Sequence, residues 1–315
     1  MKKVLCIGEA LIDFVPNDIG MSIKETNSFI KKAGGAPANV AAAVSKFGAQ
    51  AYFAGCVGKD SFGDFLEEVF RNNNINTDLM IKLEDRKTTL AFVSLMEDGE
   101  RDFEFMRDAD SRLTFELIEN RLEEFDLFHF GSATAFLDGE LKDTYYNVRD
   151  YALKNNKMIS FDANYRDALF NDKKEEFIKC CKDFISVSDI VKLSDEEAML
   201  ISRAKNLKDA SDEIIKLGCK NLIITLGKDG AMLTTKEKQI VVPTKKMKMI
   251  DATGAGDAFM GAVLAQVLNN PKEEMKSIIS KANIAGGLTT TRIGALESIP
   301  TWEEVEEYRK MQNIN

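Results

Sequence analysis

A single histidine, His129, and five cysteines without a CxxC spacing deny this 315-residue sequence the ligand set of a zinc site. Cys6, Cys56 and Cys219 lie in or beside apolar runs, and with Cys180 and Cys181 they are expected to stay reduced, as in a cytoplasmic protein. No apolar run reaches the ~18 residues of a membrane span. In the opening MKKVLCIGEALIDFVP, Glu9 and Asp13 interrupt the apolar stretch too early for a signal peptide, so neither a membrane nor export is expected. Positive charge is also in short supply. The 42 Lys and Arg against 51 Asp and Glu give a net charge of -9 and a pI near 5.0, which argues against a nucleic-acid partner. A phosphate-bearing small molecule remains compatible, because backbone N–H groups, a metal and a few local cations suffice to bind one. No Pro/Gly/Ser-rich linker, low-complexity segment or internal repeat divides the chain, so residues 1–315 read as one unit.

What is present is a rhythm. The apolar runs KVLCIG, AYFAGCVG, DLFHFGS, MISFDA, DIVKLS and NLIITLG read as short buried strands. Between or after them lie amphipathic stretches at Ala38–Phe47, Gly63–Asn72, Gly139–Lys154, Lys173–Ser186, Asp195–Ser202 and Leu207–Leu217. This β-α order predicts an α/β fold with an open, mostly parallel sheet and helices on both faces. Ligands in such folds gather at the carboxyl ends of the strands. Thr88–Asp108 breaks the rhythm: it alternates around an Asp98-Gly99 pair suited to a tight hairpin. With the early extended piece LIDFVP, it is expected to stand outside the main sheet as a lid, built from segments near 10–32 and 78–110.

Two glycine clusters precede helix-like stretches. In DATGAGDAF, a buried helix is expected from Ala258, with ATGAG as its N-terminal loop. Unpaired N–H groups and the positive end of the helix dipole suit a phosphate there, and glycines let backbone approach it. Asp257 would repel that phosphate, so it is either an N-cap or the base that takes a proton from an attacking hydroxyl. In AGGAPANVA, Gly34 and Gly35 permit close approach and Asn39 can both donate to and accept from a hydroxyl, or the segment is a tight loop with a cap. Asp13 is a polyol acceptor or a strand-end charge. Asn164 and Arg166 in FDANYRD follow a buried strand, where Arg166 could meet a phosphate or form a surface ion pair. Lys192 and Glu197 sit at a strand-to-helix junction, and Ser194 with Glu197 spells a capping box. Gly227 and Gly230 in TLGKDG either admit a nucleotide or make a turn.

In this order, GGAPANVA and DATGAGDAF resemble the two signature patterns of the ribokinase or PfkB family of carbohydrate kinases, and the resemblance spans nearly the whole chain. GEALIDFVP, GERDFEFMRDADS and PTWEEVEE are most similar to the family's bacterial fructokinases. The resemblance implies a three-layer α/β/α sandwich with a small β-sheet lid, and ATP-dependent phosphorylation of a sugar hydroxyl, D-fructose to D-fructose 6-phosphate. It implies Asp257 as catalytic base, Gly254, Ala255 and Gly256 as the anion hole, and Arg166 beside the reacting groups. Asp13, Gly34, Gly35, Asn39, Asn164 and Arg107 match sugar positions. Lys192, Thr225, Gly227, Gly230 and Asn283 are placed with the nucleotide. Glu197 matches a position linked to Mg²⁺ through water, and Asp251 with Thr253 a loop that holds K⁺ in many relatives. Small-molecule sugar and ATP are the implied partners, with a homodimer through the lid. Ala163 and Ser194 depart from the family's usual proline and asparagine. Same-fold alternatives are a 2-keto-3-deoxygluconate kinase, with Arg107 or Arg166 meeting the carboxylate, and a nucleoside or aminoimidazole-riboside kinase, with Phe103 and Phe105 as an aromatic wall. A non-catalytic sugar-binding regulator is the alternative from another class.

Overall fold

The structure, a computed structural model, describes residues 2–17, 20–95 and 101–311. Thirteen strands form in chain order: β1 Lys3–Ile7, β2 Leu11–Pro16, β3 Phe29–Gly34, β4 Gln50–Gly58, β5 Asn76–Leu83, β6 Leu90–Leu95, β7 Arg101–Met106, β8 Leu127–Gly131, β9 Met158–Asp162, β10 Ile190–Ser194, β11 Asn221–Thr225, β12 Ala231–Thr234 and β13 Gln239–Val242. The helices are α1 Ala36–Lys46, α2 Ser61–Asn72, α3 Glu140–Lys154, α4 Asp167–Phe170, α5 Lys174–Ile185, α6 Asp195–Ser202, α7 Leu207–Ile215, α8 Ala255–Asn269, α9 Met275–Thr289 and α10 Trp302–Met311. The larger sheet has nine strands in the order β13-β12-β11-β10-β9-β8-β1-β4-β5. It is parallel from β5 to β11, and β12 and β13 close that edge antiparallel. Among the described residues, no helix is long and apolar enough to cross a membrane.

Burial explains the strand composition. Val4 and Cys6 of β1 join one core with α1, α8 and α9, while Leu5 and Ile7 join a second with α3, α5, α6 and α7. A strand covered on both faces needs apolar residues at every position, hence the unbroken runs. The six runs read as strands and the six amphipathic stretches read as helices all form those elements.

The smaller sheet runs β3-β2-β6-β7, with β2 and β6 parallel and the other pairs antiparallel. Strands β2 and β3 lie mainly in the first segment expected to form the lid, and β6 and β7 in the second. Residues 78–83, at the start of the second segment, instead form most of β5 at the edge of the large sheet. The expected Asp98-Gly99 turn lies outside the described residues. Register puts Asp13, Lys32, Ala91 and Phe105 on one face of the small sheet. On the other face, Phe14, Phe29 and Phe92 cluster, and Phe14 meets Phe62 of α2 edge-on at 5.7 Å.

α8 is buried almost all round, between α1 and α9. Gly261 makes this possible: a Cβ there would lie 2.3 Å from the Ala43 Cβ and 3.0 Å from the Val40 carbonyl. Asn39 meets Asp257 one turn earlier on both helices. The two helices therefore run parallel, with their N-termini side by side. Gly261→Val should force them apart and lower stability by about 1–3 kcal/mol, the usual range for overpacking. Thermal denaturation checks this, and an unchanged melting temperature contradicts the close approach.

Candidate active site

α1 and α8 both begin at glycines in conformations that disfavour a side chain. Gly35, the N-cap of α1, has φ 112°, and a Cβ on it would lie 2.3 Å from the Glu9 carbonyl. Gly254, the N-cap of α8, is left-handed at φ 75°. Helix α8 thus starts at Ala255, three residues before the expected Ala258. The reason is local: left-handed Gly254 turns the chain, and GAG becomes the first helical turn itself. Ala258 N–H donates to the Gly254 carbonyl at 2.8 Å and Ala255 N–H to the Ala252 carbonyl, which leaves Gly256 and Asp257 N–H as the free donors of that turn.

Asp257 is not the N-cap. It is buried, and its Oδ2 accepts from Asn39 Nδ2 at 2.8 Å. Burial raises its pKa above the ordinary aspartate value, against the opposing pull of Lys192, the Asn39 hydrogen bond and Arg166. Desolvation outweighs all three.

Beneath the turn lies a buried ion pair. Lys192 Nζ is 3.0 Å from Asp162 Oδ2, and a Cβ on Gly256 would lie 2.9 Å from the same ammonium. Burial works against the Lys192 charge, yet Asp162, Glu197 and Asp257 outweigh it and hold its pKa above the ordinary lysine value. Burial pushes Asp162 up to about 7, with Lys192 opposing. Asp13 is pushed up to about 6 by burial, opposed by Arg166 and Lys32. Its Oδ2 lies 2.1 Å from where a Gly34 Cβ would be, so glycine is the residue that fits there. Arg166 lies near enough to oppose the burial shifts of Glu9, Asp13 and Asp257. A cleft of about 510 Å³, lined by Asn164, Arg166, Lys174, Lys192, Ser194 and Glu197 among others, opens beside this group. Among the described residues, two buried atoms near this group have no partner: the acceptor Asn39 Oδ1, beside Asp257, and the donor Asn164 Nδ2, in the cleft wall.

Other expected site residues take structural partners. Arg107 donates to Asp110 Oδ2 at 3.0 Å, to the Thr134 carbonyl at 3.0 Å and to the Asp138 carbonyl, so its guanidinium ties the foot of β7 to the 132–138 loop. Glu197 accepts from Tyr165 N–H at 2.8 Å and Ser194 N–H at 2.7 Å, completing the capping box and anchoring the loop that bears Asn164 and Arg166. Asn283 Nδ2 donates to the Val242 carbonyl at 2.9 Å. Gly230 has φ 100° and serves the β11–β12 turn, where a Cβ would lie 2.2 Å from the Val242 carbonyl. Gly227 has φ 55° and open space around it, and Thr225 Oγ1 donates to the Leu193 carbonyl. Asp251 accepts from Thr253 N–H and Oγ1 and from Gly294 N–H, which closes its loop onto the 290–294 segment.

One residue escaped the sequence reading. Glu9 is 1% exposed, and burial pushes its pKa up to about 8. Its Oε1 accepts from Ala36 N–H at 3.0 Å. A carboxylate between two apolar runs was its only signal.

A model of the pfkB family of carbohydrate kinases matches residues 1–302. The chain is similar to Fructokinase-1 of Oryza sativa subsp. japonica, 35% identical over 321 residues and 98% of both chains. Fructokinase-1 of Zea mays is 36% identical over 313 residues and 96% of both. Among solved structures, the chain is similar to the Xylella fastidiosa fructokinase with bound ATP, at 30% identity, TM-score 0.88 and 99% of both chains. It is also similar to the Vibrio cholerae O395 fructokinase in its fructose, ADP and calcium ion bound form, at 27% identity, TM-score 0.86, 98% of this chain and 99% of that one.

Asp257→Asn keeps the shape and the Asn39 contact region but removes a carboxylate able to take a proton, and for the base expected here should lower kcat about 10²–10⁴-fold. Steady-state kinetics check this, with more than half the wild-type kcat as the contradicting result. In the wild type, the acid limb of kcat should fall above the ordinary aspartate range, because activity is lost as pH drops through the raised Asp257 pKa.

Proposed function

The chain belongs to the pfkB family of carbohydrate kinases, and from that premise we propose that it transfers the γ-phosphoryl group of ATP to a hydroxyl of D-fructose, giving D-fructose 6-phosphate and ADP. The observation that carries the substrate class is the pair of orphaned buried atoms, Asn39 Oδ1 and Asn164 Nδ2. One needs a donor and the other an acceptor, and sugar hydroxyls supply both. An absent hydroxyl would leave them unpaired, so such a pocket discriminates strongly.

Neutral sugar is favoured over the sugar acid. Arg107 is committed to Asp110 and two carbonyls, and the Arg166 charge already opposes the burial of Glu9, Asp13 and Asp257. That leaves Arg107 no uncommitted nitrogen for the carboxylate of 2-keto-3-deoxygluconate, and Arg166 is the cation set beside the phosphoryl oxygens. Phe103 and Phe105 stack on each other at 5.8 Å rather than opening a slot for a base. A non-catalytic regulator would have no use for a desolvated Asp257. The fructokinases at 35% and 36% identity support the same choice.

In the proposed reaction, the sugar oxygen forms a bond to the γ-phosphorus as the bond to the ADP oxygen breaks, and the hydroxyl proton passes to Asp257. A loose transition state asks for little early proton removal, so positioning matters more than basicity. Asn39 holds the carboxylate toward the sugar. Free N–H groups at Gly256 and Asp257, with Lys192 beneath and Arg166 beside them, stabilise the phosphoryl oxygens. Asp13, Gly34, Gly35 and Asn164 seat the sugar. Thr225 and Gly227 border the nucleotide, with Gly230 and Asn283 shaping that wall.

Among the described residues, no group of three or more His, Cys, Asp or Glu could hold a metal ion. Glu197 already accepts two backbone N–H groups. This donor set fits Mg²⁺ that arrives on the nucleotide and is reached from Glu197 through water; when bound, it would neutralise phosphate charge. The Asp251–Thr253 loop is the place for K⁺. We propose further that residues 1–315 act as a single kinase unit in the cytoplasm, where the five buried, unpaired cysteines would stay reduced. The small sheet would be its lid and, through exposed Ile30, a dimer contact.

A coupled assay of ADP release across a sugar panel tests the reading. Fructose should give the highest kcat/KM and EDTA should abolish turnover. A higher kcat/KM for the keto-acid or a nucleoside overturns the fructose choice, and no ADP release with any sugar overturns the kinase itself.

A further inference from the structure

The N-terminus of α1 carries Asn39, among the described residues the one side chain that hydrogen-bonds the Asp257 carboxylate. Yet α1 has no side-chain cap of its own, because its N-cap is Gly35. The cap comes from 27 residues upstream. Glu9 Oε1 accepts from Ala36 N–H at 3.0 Å, the first N–H of the helix. Glu9 Oε2 accepts from Thr134 Oγ1 at 3.4 Å. Main chain and side chain of Glu9 both press on this turn, since its carbonyl occupies the space of a Gly35 Cβ.

Thr134 in turn is held by its carbonyl, which accepts from Arg107 Nη2 at 3.0 Å. Arg107 Nε donates to Asp110 Oδ2 at 3.0 Å, and Asp110 Oδ1 accepts from Thr89 Oγ1. Thr89 immediately precedes β6 and Arg107 immediately follows β7, so these are the two feet of the small sheet. The Thr89 carbonyl also accepts from Ile12 N–H of β2 at 3.0 Å. An unbroken series of contacts thus runs from the small sheet through Arg107, Thr134 and Glu9 to α1, and through Asn39 to Asp257.

Resting on the kinase reading, we propose that Glu9 is a positioning residue that fixes the N-terminus of α1, and with it the Asn39–Asp257 contact, to the base of the small sheet through Thr134 and Arg107. Glu9 touches neither Asp257 nor Asn39. Its work is to keep the helix start in register with the foot of β7, so that the sugar-side sheet and the base share one frame. Buried charge is not what the role requires. Burial and the nearby Asp110 favour the neutral acid, while Arg166 opposes this. A hydrogen-bonding group of the same shape can do the same task.

The test begins with wild-type turnover on the sugar panel, since inactivity there defeats the kinase reading and leaves Glu9 to the exchange measurement alone. With an active parent, Glu9→Ala should lower kcat about 10²-fold, the scale of a ~1 Å misplacement of catalytic groups. ATP affinity, measured by calorimetry, should stay within about twofold. Glu9→Gln, which can accept from Ala36 N–H and donate to Thr134, should recover kcat to within about threefold of wild type. Hydrogen exchange at residues 35–39 should quicken in Glu9→Ala and not in Glu9→Gln, whatever the activity. In a double-mutant cycle, Glu9→Ala with Arg107→Ala should cost little more than the worse single change, because both cut one series of contacts. Wild-type kcat in Glu9→Ala, equal losses in Ala and Gln variants, unchanged exchange at residues 35–39, or fully additive effects with Arg107→Ala would each overturn the proposal.

Discussion

The parallel contact between α1 and α8 is the constraint on which the site depends. Gly261 against Ala43 sets the distance, and Asn39 against Asp257 is the polar end of the same contact. Two residues 218 positions apart in the chain become hydrogen-bond partners only because the helices run in the same direction. That direction also brings two positive helix ends to one point at the carboxyl edge of the sheet. Everything anionic in the proposed chemistry, from phosphate to carboxylate, gathers there.

Such a concentration of charge is costly in a dry interior. The structure offsets it by alternation: Asp162, Lys192, Glu197 and Asp257 form a mixed group, and Arg166 stands among Glu9, Asp13 and Asp257. Removing one member of the Lys192–Asp162 pair would leave a buried charge uncompensated, a change that typically costs about 3–5 kcal/mol. Small-sheet residues Asp13 and Lys32 share one face, so that sheet too sets opposite charges side by side.

The layered sheet was legible because strands buried on both faces must be apolar throughout. The two glycine clusters were legible as helix starts, where Gly35 at φ 112° and Gly254 at φ 75° take conformations that disfavour a side chain. Strand β5 was misplaced into the lid: NTDLMIKL is an edge strand with polar residues on its open side, and its neighbour in sequence is the small sheet's hairpin. The start of α8 was read late because Gly, Thr and Ala carry no periodic signal, and the choice falls to the left-handed Gly254. Glu9, Arg107 and Asn283 could not be assigned locally. Each finds its partner far along the chain, at Ala36, Thr134 and Val242. The Glu197 capping box was visible in SDEE, but its second bond to Tyr165 was not.

In the proposed reaction, the first turn of α8 is where the phosphoryl group is transferred, not merely where a helix begins. Single-turnover transfer of the γ-phosphoryl group by Gly256→Ala, set beside the equilibrium affinities for ATP and sugar, tests it most directly. The added methyl would crowd the Lys192 ammonium and the free N–H groups beside Asp257. The account predicts a chemical step slowed about 10–10³-fold, on the scale of a lost oxyanion donor, with both affinities within about threefold of wild type. An unchanged transfer rate, or a loss confined to ATP affinity, would contradict it.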